Sequence, residues 1–356
     1  MQRLIYFVSL FIVIGSCGIP PQKSFTKALA IDSVINTKGV FAASAPLIKQ
    51  FGVHQALLND TSFIIYAVRP YGLMLTNLST WKQRVVSFPD SPFKHSDYEV
   101  TLNDSLIYIL DITSRRLNTY LLSPERITRI SQRNIAGLMR GKNFNQYQQP
   151  TFEVAEPYIY VRYRTTEPKN NFLAATACIV GRDNGSGEFT VVDSILHHPK
   201  RYRNGKSYYT DSYIKSVDDS LLLYGFSFFD SIYLYNRNSK QFMKKGVLSN
   251  VSDFLDYDQS KNMDLAYVRM YSVTNSNNFK FVYNKNTKNI LVLRGMKTEK
   301  ITDTKKIEYF CLNGNLQVMR DSILTHPIHP EFCFAYKQGF LLFTNTLENA
   351  YYYRLR

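Results

Sequence analysis

Between Leu73 and Tyr353 one hairpin form recurs six times: an apolar strand, a turn of Asn or Asp with Ser, Thr or Gly, and a second apolar strand. The copies span Leu73–Val86, Leu106–Tyr120, Cys178–Val192, Ile232–Phe242, Phe281–Val292 and Leu341–Tyr353. Val, Ile, Tyr and Phe suit a pleated, half-buried surface, while Asn, Asp and Gly relieve the backbone at tight turns. No long window places apolar residues at the i, i+3, i+4, i+7 spacing of an amphipathic helix, so the chain reads as all-β. Most copies follow a further apolar strand, as at Ser62–Val68, Tyr158–Val161, Ser220–Tyr224, Asp264–Val268 and Phe332–Tyr336. Copy-to-copy distances of roughly 33 to 72 residues centre on the length of a four-stranded blade. One blade cannot bury both of its faces, and stacking six around an axis does. The expectation is a six-bladed β-propeller of four-stranded antiparallel blades over residues 29–356. A pair of β-sandwiches is the alternative, and the hairpin repeating across the whole chain argues against it.

Composition agrees with a large packed core. Of 356 residues 45% are hydrophobic, with 26 Tyr and 24 Phe, which excludes a disordered or collagen-like chain. A mean hydropathy of −0.23 excludes a polytopic membrane protein. The 43 Lys and Arg against 28 Asp and Glu leave a net charge of +15.

The first 16 residues form a separate unit. Arg3 precedes an apolar run from Leu4 to Ile14, about 11 residues and too short to span a bilayer. This is the pattern of a secretory signal peptide, to be left out of the fold argument. Ile14-Gly15-Ser16-Cys17 resembles a bacterial lipobox, which implies that Cys17 carries acyl chains and becomes the first mature residue. A cleaved secretory signal that happens to precede a Cys is the plainer alternative. Two or three acyl chains anchor a protein stably to a membrane. Residues 17–28 then read as lipidated Cys and tether. Gly18 to Lys23 holds no acidic residue of the kind that often signals surface export in related lipoproteins, so an outer-membrane anchor facing the periplasm is expected.

Signal, lipobox, length and Tyr-rich hairpins together resemble the TolB-like six-bladed propeller lipoproteins of Gram-negative bacteria, families of unknown function included. The resemblance is one of architecture and repeat texture over about residues 30 to 356. It implies a periplasmic or outer-membrane-associated binding or scaffolding module, and no catalytic motif carries over from it.

Motifs for chemistry are sparse. GxSxG, HExxH, GxxxxGK[ST] and GxGxxG are all absent. His326 and His329, with Glu331 beyond, are weak candidates for a metal pair, set between prolines that equally just end a strand. Cys178, Cys311 and Cys333 form no CxxC, so buried free thiols are expected, with a Cys311–Cys333 bridge as the alternative. Cations follow several apolar strands: Arg69 after Val68, Arg162 and Arg164 after Val161, Arg269 after Val268 and Lys337 after Tyr336. These read as the second strands of their blades, so four of six blades put a cation near one rim, which favours an anionic ligand. An ordinary solvated surface on a basic protein is the competing account. Arg126, Arg129, Arg133, Arg140 and Lys142 follow a Ser123-Pro124-Glu125 start signal and read as a short helix between the second and third blades. Lys200 to Lys206 is a basic loop with aromatics. An exported chain seldom meets nucleic acid, so lipid headgroups or acidic glycans suit it better. Asp-Ser before Val, Leu or Ile occurs at Asp32, Asp104, Asp193, Asp219, Asp230 and Asp321, as turn chemistry or as a resemblance to an O-glycosylation sequon.

These features point to a monomeric, membrane-anchored module that binds a protein partner, an anionic small molecule or a glycan, with no cofactor, no nucleic acid and no catalysis. A propeller hydrolase or lyase acting on a carbohydrate, lactone or peptide is the alternative.

Overall fold

The structure, a computed structural model, describes residues 29–41, 52–68, 72–90, 92, 98–139, 151–162, 176–197, 199–200, 212–218, 220–249, 254–261 and 264–355. Strand β1 (Leu29–Asn36) opens the chain. The first blade is β2 (Val53–Leu58), β3 (Thr61–Val68), β4 (Gly72–Asn77) and β5 (Gln83–Ser87). The second is β6 (Tyr98–Asn103), β7 (Leu106–Asp111), β8 (Arg116–Leu122) and β9 (Ile127–Asn134). The third is β10 (Thr151–Ala155), β11 (Tyr158–Arg162), β12 (Thr176–Asp183) and β13 (Phe189–His197). The fourth is β14 (Ser212–Ser216), β15 (Leu221–Phe226), β16 (Ser231–Asn236) and β17 (Gln241–Val247). The fifth is β18 (Asn277–Asn284), β19 (Asn289–Gly295), β20 (Ile307–Leu312) and β21 (Val318–Ile323). The sixth is β22 (Ile328–Tyr336), β23 (Gly339–Thr344) and β24 (Asn349–Leu355), completed by β1, which pairs antiparallel with β24. Six sheets of four antiparallel strands make the expected six-bladed propeller, and the ring closes through strands from both ends of the chain.

Blades stack because their central strands alternate. Ile64, Tyr66 and Val68 of β3 join the sixth-blade residues Phe332, Phe334 and Leu341, while Phe63, Ile65 and Ala67 join Ile107 and Ile109 of the second blade. The same period-2 division produces six buried apolar clusters, one at each seam. Gly225 of β15 serves one seam by having no side chain, since a Cβ there would stand 2.8 Å from the Phe281 ring of the next blade. The outermost strand pair carries a register shift in every blade but the first, which increases local twist at the rim.

Two expectations change. Asp264–Val268 is not a strand: Asp264 caps helix α1 (Leu265–Thr274), its carboxylate accepting from Ala266 N and Tyr267 N at 3.0 and 3.1 Å. The N-cap bonds outweigh the strand preference of the short apolar run. Conversely, the basic segment read as a helix after Pro124 forms β9, because Ile127–Asn134 continues a ladder with β8. There Arg129 pairs with Asp90 at 2.8 Å, and buried Arg133 pairs with Glu156 and Asp183. Arg140, Lys142 and the loop from Arg201 to Lys206 lie outside the described residues, as do the signal segment and Cys17.

Candidate functional site: the axial cavity

The innermost strands β2, β6, β10, β14, β18 and β22 surround a cavity of about 470 Å³ on the ring axis. Each inner strand lies at a sheet edge, so its free backbone edge and its charged side chains meet around the axis rather than in a seam. Polar side chains stitch these strands together. Gln55 Nε2 donates to the Ala335 carbonyl at 2.6 Å, joining the first blade to the sixth. Tyr213 OH donates to the Phe281 carbonyl at 2.6 Å, and the two rings stack at 4.7 Å, joining the fourth to the fifth. Asn284 Nδ2 donates to the Lys337 and Gly339 carbonyls at 3.2 and 2.7 Å, joining the fifth to the sixth.

Glu153 is the most enclosed carboxylate of the wall, 3% exposed. Its Oε1 accepts from Ser216 N at 3.0 Å and lies 3.1 Å from Lys215 Nζ, while Oε2 accepts from Thr101 Oγ1 at 3.2 Å. Lys215 Nζ donates also to the Leu102 carbonyl at 3.1 Å. One acid thus ties three blades, and its charge is compensated where water is scarce. On the fifth blade, Lys280 Nζ donates to the Glu331 carbonyl at 3.1 Å. Burial holds this ammonium below its ordinary value, against the opposing pull of Cys333 and Glu331. Burial likewise pushes the neighbouring Cys333 thiol up to about 12, so it stays protonated. The wall also carries Glu99, Asp104, Arg162, Lys285 and Lys337. Among the described residues of the wall, five cations against three carboxylates give it a net positive field, concentrated on the fourth to sixth blades.

The residues expected at one rim are placed differently. Arg162 ends the second strand of its blade and lines the cavity, with little of its surface exposed. Lys337 also lines it, but follows the innermost strand of its blade, because Phe332–Tyr336 belongs to β22. Antiparallel neighbours end at opposite sides, so Arg162 and Lys337 stand at opposite mouths. Arg269 sits exposed on α1, which removes the strand-end placement argued for it. Arg69 and Arg164 lie outside the described residues.

His326 stacks on Tyr351 at 4.4 Å, and His329 meets the Phe332 ring edge-on at 4.9 Å. His329 Nδ1 accepts from Glu331 N at 3.3 Å. Among the described residues no group of three or more His, Cys, Asp or Glu could hold a metal. Cys178, Cys311 and Cys333 are buried free thiols.

Sequence reasoning did not assemble Glu153, Lys215, Lys280 and Lys285. A signal for them exists: short strands with charged or polar alternation, such as Tyr98–Asn103 and Ser212–Ser216, stand four or fewer residues before strongly apolar ones.

No family model and no curated protein matches the chain by sequence. Solved structures do resemble it. A member of the DUF4221 family from Bacteroides vulgatus aligns with a TM-score of 0.67 at 13% identity, covering 94% of this chain and 99% of that one. A protein assigned as exported, from Bacteroides fragilis, aligns with a TM-score of 0.54 at 13% identity, covering 93% and 95%. At these identities the likeness is one of fold. No helix among the described residues is long and apolar enough to cross a membrane.

Proposed function

We propose that this protein is a lipid-anchored envelope protein whose propeller is a binding module, and that its axial cavity takes a small anionic ligand without catalysing its conversion. The excess of cations over carboxylates around the enclosed axis carries this reading. A volume of about 470 Å³ falls within the range of small-molecule sites, roughly 300–1,000 Å³. Lys280 is suited to an anion because its charge is kept on a peptide carbonyl in a site where burial disfavours it, and a ligand carboxylate or phosphate relieves that cost. Arg162, buried in the wall, adds a further positive charge at the other mouth. The fold shared with an exported Bacteroides protein supports an envelope setting.

Thermal unfolding of the purified chain against acidic, neutral and basic sugars and metabolites tests the reading. Acidic members are expected to raise Tm, and Lys280→Met to abolish the rise. Stabilisation by neutral or basic members alone would refute it. The anchor is tested separately: Cys17→Ala should move the protein from the membrane to the soluble fraction, and unchanged partition would remove the lipid from the proposal.

A further inference from the structure

In each blade the turn after the innermost strand opens at the same end of the ring, and at that end an ion pair crosses the axis. Lys285, just after β18, places Nζ 2.8 Å from Oδ1 of Asp104, just after β6. The fifth and second blades stand opposite in a ring of six, so this pair bridges the mouth of the cavity and not a seam between neighbours. Both side chains line the cavity, and both remain a little over half exposed, at 55% and 54%. Such a pair adds little to stability and exchanges partners readily.

The surrounding turn is built more firmly than the pair. Asn286 Nδ2 donates to the Lys337 carbonyl at 3.1 Å, and Asn284 Nδ2 donates to the same carbonyl. The turns of the fifth and sixth blades are therefore fastened together, which keeps two lysines, Lys285 and Lys337, on adjoining turns of one mouth. Lys337 holds a left-handed backbone at φ +47°, and its ammonium stands 5.1 Å from the Tyr336 ring centre. Of the three carboxylates among the described cavity-lining residues, Asp104 is the one in a turn at this mouth, while Asp60, Glu156 and Asp218 stand in the corresponding turns of other blades.

Building on the anionic-ligand reading above, we propose that this mouth is the docking point for the ligand's acidic group. A terminal carboxylate or phosphate enters between Lys285 and Lys337 and replaces Asp104 as the partner of Lys285, while the uncharged body of the ligand occupies the cavity. Asp104 thereby acts as a resident competitor that mimics the ligand's acid. Exchanging one carboxylate for another at Lys285 leaves that ammonium paired throughout, and the incoming group gains the second lysine. Asp104 and Lys285 are consequently the residues that set preference for acidic over neutral ligands at this end.

Glucuronate and glucose 6-phosphate, with glucose as the uncharged control, separate carboxylate from phosphate as the recognised group. Calorimetric titration of the full chain should show Asp104→Asn binding an acidic probe about fivefold more tightly, the scale of losing one exposed ion-pair competitor, and Lys285→Met binding it more weakly by a similar factor. Glucose should be indifferent to both changes. In parallel, mass-spectrometric measurement of amine labelling should show Lys285 labelled faster in Asp104→Asn and protected by the acidic probe. If wild type binds an acidic probe through Lys280 but Asp104→Asn leaves affinity unchanged or lower, the docking point is wrong and the cavity reading stands. If neither wild type nor Asp104→Asn binds either acidic probe, the cavity reading fails and takes the docking point with it.

Discussion

Two cations of the fifth blade, buried Arg294 on β19 and half-buried Lys280 on β18, are treated in opposite ways. Arg294 is 1% exposed and fully committed. It lies 2.6 Å from Asp230, donates to Asn278 at 2.8 Å, reaches Glu308 at 3.9 Å and is sandwiched between the rings of Phe254 and Phe310. Lys280 rests instead on a peptide carbonyl beside the axial void. Arg133 repeats the first arrangement, held by Glu156 and Asp183 with Phe189 beneath it. Charge in the seams fastens blade to blade, whereas the Lys280 charge at the axis is kept at some cost to the fold, a cost the proposed ligand would offset.

Five measurements bear on that contrast. The largest effect is expected in alkali, where the phenols of the seams fail together. Burial raises Tyr108, Tyr160 and Tyr353 from 10.0 to about 12. Their contribution is complete below pH 10 and is lost as the pH climbs through about 12, because the unfolded chain gives up its phenolic protons first. Tm should therefore fall over that interval in step with tyrosinate absorbance. Lys305, lowered from 10.5 to about 8 by burial, has the opposite sign. Between about 8 and 10.5 the unfolded chain holds the proton that the folded one has shed, so Lys305 adds stability as pH rises, and Lys305→Met should flatten that limb.

Next in size, Arg294→Met takes the buried guanidinium from Asp230, Asn278 and the two rings, and should cost about 3–5 kcal/mol in urea unfolding. A loss below about 1 kcal/mol would erase the distinction between seam and axis. Glu153→Gln keeps one acceptor oxygen, for Ser216 N, presents a donor to Thr101 in place of the second oxygen and takes the carboxylate from Lys215, and about 1–3 kcal/mol should be lost. The smallest change is expected from Lys280→Met, which should leave stability within about 1 kcal/mol of wild type, or raise it, while removing acidic-ligand binding. A large loss would place Lys280 with the fasteners.

The blade number is legible in the sequence, but the place of each hairpin within its blade is not. Leu73–Val86 spans β4 and β5, the outer pair, Leu106–Tyr120 spans β7 and β8, the middle pair, and Phe281–Val292 spans β18 and β19, the inner pair. All three use the same local device. Asn77, Asp111 and Asn284 each accept a backbone N–H two or three residues on, at 2.8, 2.9 and 3.0 Å, so the turns look alike wherever they fall. That ambiguity displaced the cationic rim: the strand before Arg162 is the second of its blade, whereas the strand before Lys337 is the first. The axial wall was less legible still. Glu153 meets Thr101, Lys215 and Ser216 only after the ring closes, and no local spacing encodes contacts of that range. The helix after Asp264 was hidden by a run of five residues that suits either structure until the cap is considered.

Ring closure by β1 has a mechanical consequence. The seam between the chain's two ends is a single ladder running from Leu29 opposite Leu355 to Asn36 opposite Asn349, interrupted between Ile31 and Ser33. Its hydrogen bonds lie across the strands. A pull on the leading segment directed away from the rim loads the Leu29 pair alone and peels the ladder open rung by rung. A pull along the strand shares the load among all rungs in shear. The direction in which that segment departs therefore sets how much force the propeller bears before its sixth blade opens.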